Sequence, residues 1–222
     1  TIQDTQDVLG YTPLDGDLII EQARAVLEDM PISAFKLGLL PTTEAVEAIH
    51  SILADYPEIP VVMDPVLASG SGTLLTDDEV LDVMTELLLP QATVLTPNSR
   101  EARALAPEAD NLDACAMALL ERGAEFVLIT GTHENTRDVA NSLYTNRRLI
   151  ETFTWERLEG SFHGSGCTLA SSIAGLLAQG LEPFSAIHEA QEYTWQALAA
   201  GYRIGMGQQL PNRLFWARDE QT

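Results

Sequence analysis

The chain has 222 residues, 45% apolar and 20% charged, with 15 Gly and 11 Pro, a mixture that excludes disorder, a collagen-like fibre and a repeat array. Lys and Arg number 12 against 33 Asp and Glu, and the net charge of −21 argues against binding to a nucleic-acid backbone. No apolar stretch approaches the ~20 residues that a membrane-spanning helix needs, and the length suits one domain with a sizeable core.

A small phosphate ligand held by backbone amides and a divalent cation stays compatible with that charge. Cys115 and Cys167 are the two cysteines, without CxxC or Cys/His spacing, so neither a zinc site nor a disulfide framework is expected. A reducing cytoplasm is the default location. The sequence opens at Thr1, without Met, inside what reads as a strand, so part of an N-terminus is expected to be absent.

Apolar runs alternate with helical patterns along the chain. Residues 34–40 form a short buried run ending at Pro41, and Thr42 caps a helix reaching Tyr56, with Ala45, Val46, Ile49, Ile52 and Leu53 on one face. Residues 59–66 read as a strand, and Thr76-Asp77-Asp78-Glu79 as a capping box opening a helix to about Leu89. A strand at 93–96, helices at 99–105 and 112–122, and a strand at 126–130 follow. Ser142-Leu143-Tyr144 and 149–155, around Asn146-Arg147-Arg148, read as an antiparallel hairpin. Helical patterns over 166–179 and 183–202 close the chain. Short strands alternating with longer helices predict one three-layer α/β domain with a mostly parallel central sheet.

Ligands of such sheets sit outside the carboxyl ends of the strands. Asp64-Pro65, Thr96-Pro97-Asn98 and Thr130-Gly131-Thr132-His133 all fall at such ends. Asn98 and Glu101, three apart, share one face of a first helical turn. They fit either a plain helix cap or an oxygen-ligand pair for hydrated Mg²⁺. In Ser161-Phe162-His163-Gly164-Ser165-Gly166-Cys167-Thr168 two glycines lead directly into a helix. This pattern makes either a tight turn or an anion-binding loop, and a cysteine in its first turn is expected to have a lowered pKa. His163 reads as a positioning group, Cys115 as core, and Trp155, Trp195 and Trp216 as packing. No GxSxG elbow is present, so a hydrolase is not expected.

In their order and separation these segments resemble the hydroxymethylpyrimidine/phosphomethylpyrimidine kinases of thiamine biosynthesis, within the ribokinase-like superfamily. The segments are Gln3-Asp4-Thr5, Lys36-Leu37-Gly38-Leu39-Leu40, Met63-Asp64-Pro65-Val66, Thr96-Pro97-Asn98 with Glu101, His163 to Leu169, and Ile204-Gly205-Met206-Gly207. Cys167 is the most specific of them, since most of the superfamily places Asp there. The resemblance implies a ribokinase-like fold and ATP- and Mg²⁺-dependent phosphorylation of hydroxymethylpyrimidine and its monophosphate by a homodimer.

Residue by residue, it implies Cys167 as the base and the amides of Gly164, Ser165, Gly166 and Cys167 as the hole for the γ-phosphate. It implies Asn98 and Glu101, with Asp64, as organisers of Mg²⁺ largely through water. Gln3, Leu39 and Val66 match positions that hold the pyrimidine, and Thr130 and Gly131 fall near the nucleotide. The chain departs from the family in lacking a Lys at Thr130, a basic residue in Leu67–Gly72, and a Gly-rich opening segment. The glycines of 67–72 suggest a mobile cover over the site. Pyridoxal or pyridoxine phosphorylation is the alternative within the fold, and a catalytically silent pyrimidine-binding regulator is the alternative outside enzymology.

Overall fold

The computed structural model describes residues 1–69 and 72–217; Gly70 and Ser71, in the loop read as a cover, lie outside the described residues. Two short antiparallel strands, β1 (Ile2–Gln3) and β2 (Val8–Gly10), precede helix α1 (Gly16–Asp29). Six further strands then stand side by side in chain order: β3 (Phe35–Leu37), β4 (Val61–Met63), β5 (Val94–Leu95), β6 (Phe126–Ile129), β7 (Val139–Thr145) and β8 (Arg148–Trp155). β3 to β6 run parallel, whereas β7 and β8 run antiparallel.

A parallel sheet growing in one direction through right-handed crossovers puts every crossover helix on one face. Accordingly α2 (Thr43–Ala54), α3 (Asp78–Leu87), α4 (Ser99–Leu105) and α5 (Leu112–Glu121) share a core with Met63, Leu95 and Val127. The alternate residues Val62, Val94 and Leu128 face the other way. They are covered by α6 (Ser165–Ala178) and α7 (Pro183–Ala199). These are the three layers expected.

Side-chain caps start the crossover helices: Thr42 accepts from Ala45 N, Asp77 from Val80 N and Asn111 from Ala114 N. The cap of α3 is Asp77 and not Thr76, one residue later than the capping box predicted. The strand expected over 59–66 shortens to three residues between Pro60 and Pro65, neither of which has an N–H for the ladder. Helix α1 was not anticipated. It packs on α2 through the half-buried stripe Ile19, Ile20, Ala23 and Leu27, while Leu18 and Val26 remain exposed; that helical spacing was legible in the sequence and was passed over.

The β7–β8 hairpin turns at Asn146 and Arg147, both with positive φ (49° and 58°), as a two-residue turn matching strand twist requires. Cys115 is fully buried beneath α5, as expected. Trp155 stacks with Trp195 at 6.5 Å, which is packing.

Gly131, at the end of β6, is held by close approach. Its N–H donates to Asn141 Oδ1 at 3.1 Å, and a Cβ there would overlap the carbonyl oxygen of Ala140. Gly131→Ala is therefore expected to destabilise the fold by about 1–3 kcal/mol through backbone displacement. Urea unfolding measures this, and an unchanged midpoint would refute so tight an approach of β6 to β7.

Candidate active site

β3 to β6 end on one rim, and the acidic residues at those ends face the start of α6. Asp64 follows β4 and is 5% exposed. Its Oδ2 lies 3.5 Å from Lys36 Nζ, carried by β3. Its carboxylate also neighbours the Cys167 thiol closely enough for each to shift the other's proton affinity. The packing of α6 against β3 and β4 produces this meeting. Gly166 comes so close that a Cβ there would lie 3.7 Å from Asp64 Oδ1.

The entry to α6 presents open backbone donors. Gly164 is left-handed at φ 82°, a conformation glycine adopts without strain, and no side chain caps the helix. The first helical bond runs from Thr168 N to the Gly164 carbonyl at 3.0 Å. Among the described residues, the amides of Gly164, Ser165, Gly166 and Cys167 therefore have no acceptor. Four open N–H groups and the positive end of the helix dipole converge there.

The expectation of a lowered Cys167 pKa is corrected. Desolvation and then the neighbouring Asp64 carboxylate raise it above the ordinary value, while Lys36 and Arg213 pull it down. Although the residue reaches the surface, the carboxylate beside Sγ opposes a thiolate. In the resting site Cys167 is therefore held as the thiol.

Asn98 and Glu101 form a closed capping box on α4. Asn98 Oδ1 accepts from the amides of Arg100 (2.9 Å) and Glu101 (3.0 Å), and Glu101 Oε2 accepts from Asn98 N at 2.8 Å. Burial drives the Glu101 pKa from 4.5 up to about 7, with Asp64 adding repulsion against the lowering bonds from Asn98 and Leu67. Asp64 is likewise raised, by burial above all, with Lys36 and Cys167 opposing. Two buried carboxylates thus share one neighbourhood. Asn98 serves the pair by fixing Glu101.

Gln3 joins the site from the far end of the sequence. Its Oε1 lies 2.8 Å from His163 Nε2, immediately before the amide loop. Thr5 accepts from Gln208 N at 2.6 Å and Gly207 N at 3.1 Å, and Gln209 in turn bonds Ser161 and His163. The first and last segments of the resemblance therefore meet around the loop. His163 is the positioning group expected. Leu39 and Val66, both half-buried, follow β3 and β4 on the same rim.

Thr130 and Gly131 lie at the end of β6, on the rim where β3 to β5 also end. Thr130 spends its N–H on Pro97 O and its carbonyl on Ser99 N, at 2.9 and 3.1 Å, leaving its side chain for any ligand. The residues after it are stapled by Arg157, which donates to the carbonyls of Thr132, Glu134 and Thr136. Sequence reading gave no role to Lys36 or Arg157 and passed over Arg213, whose Nε donates to Thr168 Oγ1 at 3.1 Å beside the loop. Their spacing from the motifs is long, so only the fold reveals them.

Comparison with known proteins agrees with this geometry. The family profile described as phosphomethylpyrimidine kinase matches residues 1–212. The chain belongs to that family. It is 35% identical over 219 residues to the thiamine biosynthetic bifunctional enzyme TH1, chloroplastic, of Arabidopsis thaliana, covering 95% of this chain and 42% of that protein. The chain thus spans less than half of that relative. A hydroxymethylpyrimidine/phosphomethylpyrimidine kinase of Staphylococcus aureus is 32% identical over 98% of this chain and 81% of its own length. The solved pyridoxal kinase of Staphylococcus aureus, in complex with AMP-PCP and pyridoxal, superposes with a TM-score of 0.83 at 25% identity, covering 94% of this chain and 77% of that one. The fold is ribokinase-like, and the chain is a phosphotransferase.

Within this kinase, the upward shift of Glu101 carries a stability signature. A carboxylate with a folded pKa above its unfolded value binds its proton more tightly when folded. Its contribution is fully present below the unfolded value of 4.5 and fades as pH rises through about 7. In Mg²⁺-free buffer Glu101→Gln is expected to be more stable than the parent at pH 8, by about 1–3 kcal/mol, and to lose that advantage near pH 4.5. Thermal melts across pH decide it; a pH-independent difference would refute the shift.

Proposed function

We propose that this kinase transfers the γ-phosphoryl group of ATP to the hydroxymethyl oxygen of 4-amino-5-hydroxymethyl-2-methylpyrimidine, and then to the phosphate of the resulting monophosphate. The observation that carries this reading is the Cys167 thiol, beside buried Asp64 at the edge of four open amides. Phosphoryl transfer asks mainly for positioning and for charge stabilisation on the moving group. The amides of Gly164 to Cys167 supply both.

The acceptor hydroxyl must lose a proton as its oxygen bonds phosphorus and ATP departs as ADP. In this reading Sγ takes that proton while its own proton passes to Asp64. One O–H bond breaks, one S–H bond is exchanged and one carboxyl O–H forms. This relay needs no free thiolate, in keeping with the raised Cys167 pKa. Gln3, set by His163, presents an amide to the ring nitrogens or the amino group of the pyrimidine, with Leu39 and Val66 as apolar walls.

Mg²⁺ fits the residues present in one form only. Among the described residues no group of three or more His, Cys, Asp or Glu forms a cage. Asp64 and Glu101 are nevertheless hard oxygen donors that repel each other across one site. Such a pair suits a cation that keeps most of its waters and is completed by substrate phosphates. When bound, the ion would neutralise charge on the transferring phosphates.

A second reading, pyridoxal phosphorylation, is favoured by the likeness to the pyridoxal kinase of Staphylococcus aureus. Both readings use the same loop and differ in the ring that Gln3 meets. ADP release with Mg²⁺-ATP and either hydroxymethylpyrimidine or pyridoxal separates them. Turnover on the pyrimidine is expected, and Cys167→Ala is expected to lower kcat by about 10²–10⁴-fold with the melting temperature preserved. Turnover on pyridoxal alone would transfer the assignment to the second reading. Ligand-induced stabilisation without ADP release would mark a silent binding protein.

A further inference from the structure

The amide loop has a cationic neighbour to which no role has been attached. Arg213 lies beyond the last helix, where the chain folds back across α7. Asn212 N bonds Ala197 O at 2.8 Å, Tyr193 Oη donates to the Arg213 carbonyl at 2.9 Å, and Leu214 N returns to Asn212 Oδ1 at 3.1 Å. The backbone at Arg213 is therefore pinned, and its side chain is delivered to the start of α6. There Nε donates to Thr168 Oγ1 at 3.1 Å, and Thr168 Oγ1 in turn donates to the Gly164 carbonyl at 2.7 Å. The Nη2 nitrogen stands 3.2 Å from the point that a Cβ on Gly164 would occupy. A side chain at 164 would make it give way by a few tenths of an ångström, and the positive φ of Gly164 favours glycine there in any case.

Among the described residues the guanidinium is held by one nitrogen, and its other two carry no hydrogen bond. In a chain with 33 acidic residues, Arg24, Arg103 and Arg122 each pair with a carboxylate. Arg213 has no carboxylate within ion-pair distance among the described residues. Its charge is felt at Cys167, three positions beyond Gly164. Lys36, the other cation there, is engaged with Asp64, and the segment Thr130-Gly131-Thr132 carries no charge.

We infer that Arg213 is a catalytic residue of the kinase, whose free Nη groups grip the γ-phosphoryl group while the amides of Gly164 to Cys167 hold it. A planar two-pronged donor suits the equatorial oxygens of a transferring phosphoryl group, where charge is spread. Its attachment through Nε fixes the fork in advance, so little ordering is needed on binding. The inference rests on the phosphoryl-transfer reading of this site and not on which acceptor receives the group.

The test reads nucleotide binding by calorimetry, with no acceptor present, using Mg²⁺-AMP-PCP and Mg²⁺-ADP on the parent chain, Arg213→Gln and Arg213→Lys. The expected result is a loss of about 10- to 100-fold in AMP-PCP affinity for Arg213→Gln, with ADP affinity within about twofold of the parent. Arg213→Lys is expected to recover part of the loss, since it restores the charge without the fork. Equal losses for both nucleotides would make Arg213 a structural pin of the loop and overturn the inference. So would unchanged binding of both, or a parent chain that does not distinguish AMP-PCP from ADP. Because no acceptor is present, failure of the pyrimidine assignment leaves this outcome readable.

Discussion

Asp64 is the buried charge to which the rest of the site answers. A carboxylate placed at the end of a central strand loses hydration that no single partner restores. The structure surrounds it with three different responses. Lys36 offers a positive charge at 3.5 Å, Cys167 offers a weak proton donor, and Glu101 adds a second carboxylate that worsens the cost. Only the last is hard to justify as stabilisation. Its presence fits a site that waits for a cation, because a buried like-charged pair becomes favourable when positive charge arrives between its members.

An acidic body that binds phosphates must keep its global and local fields apart. With a net charge of −21 the long-range potential repels nucleotides. Screening confines that repulsion to roughly 8 Å at physiological salt, while the open amides of Gly164 to Cys167 act at hydrogen-bond distance. Backbone donors suit this work because they carry no net charge for a neighbouring carboxylate to neutralise. Some surface cations are taken up by acidic partners, as Arg24 is by Asp55 and Arg122 by Glu108. Arg213 makes no ion pair among the described residues and is anchored instead through its backbone at Ala197 and Tyr193 and through Nε at Thr168.

How much of this could be read from the sequence follows from the range of the interactions. The helices α4 and α5, the hairpin at Asn146 and the loop before α6 depend on residues within about four positions, and their signals were legible. The same holds for the Asn98–Glu101 pair, whose two proposed uses are both visible in its spacing. α1 was equally legible, since Asp15 caps it and Ile19, Ile20, Ala23 and Leu27 recur at helical spacing, although the exposed Leu18 and Val26 add apolar residues to its other face. The Cys167 pKa, by contrast, was misjudged. The first turn of a helix is a local feature, whereas Asp64 lies a hundred positions earlier and arrives only through the packing of α6 on β4. At Gly131 the need for glycine is set by Ala140 on the next strand, a contact that no local motif shows.

The capping box on α4 shows why function and stability share residues here without serving the same end. Asn98 satisfies two helix amides and thereby stabilises α4 in the ordinary way. The same bonds fix Glu101 Oε2 against Asn98 N, so the carboxylate cannot swing out to solvent and recover its hydration. Rotamer freedom that would lower the cost of burial is removed by the cap that starts the helix. Glu101 is consequently held beside Asp64 with its proton affinity raised to about 7, inside the range in which a cation can displace that proton at neutral pH. A longer or looser connection between β5 and α4 would give a more comfortable carboxylate and a weaker site. The strand–turn–helix sequence Thr96-Pro97-Asn98-Ser99-Arg100-Glu101 is short for that reason: the turn that ends the strand, the cap that starts the helix and the charge that faces the site occupy six residues.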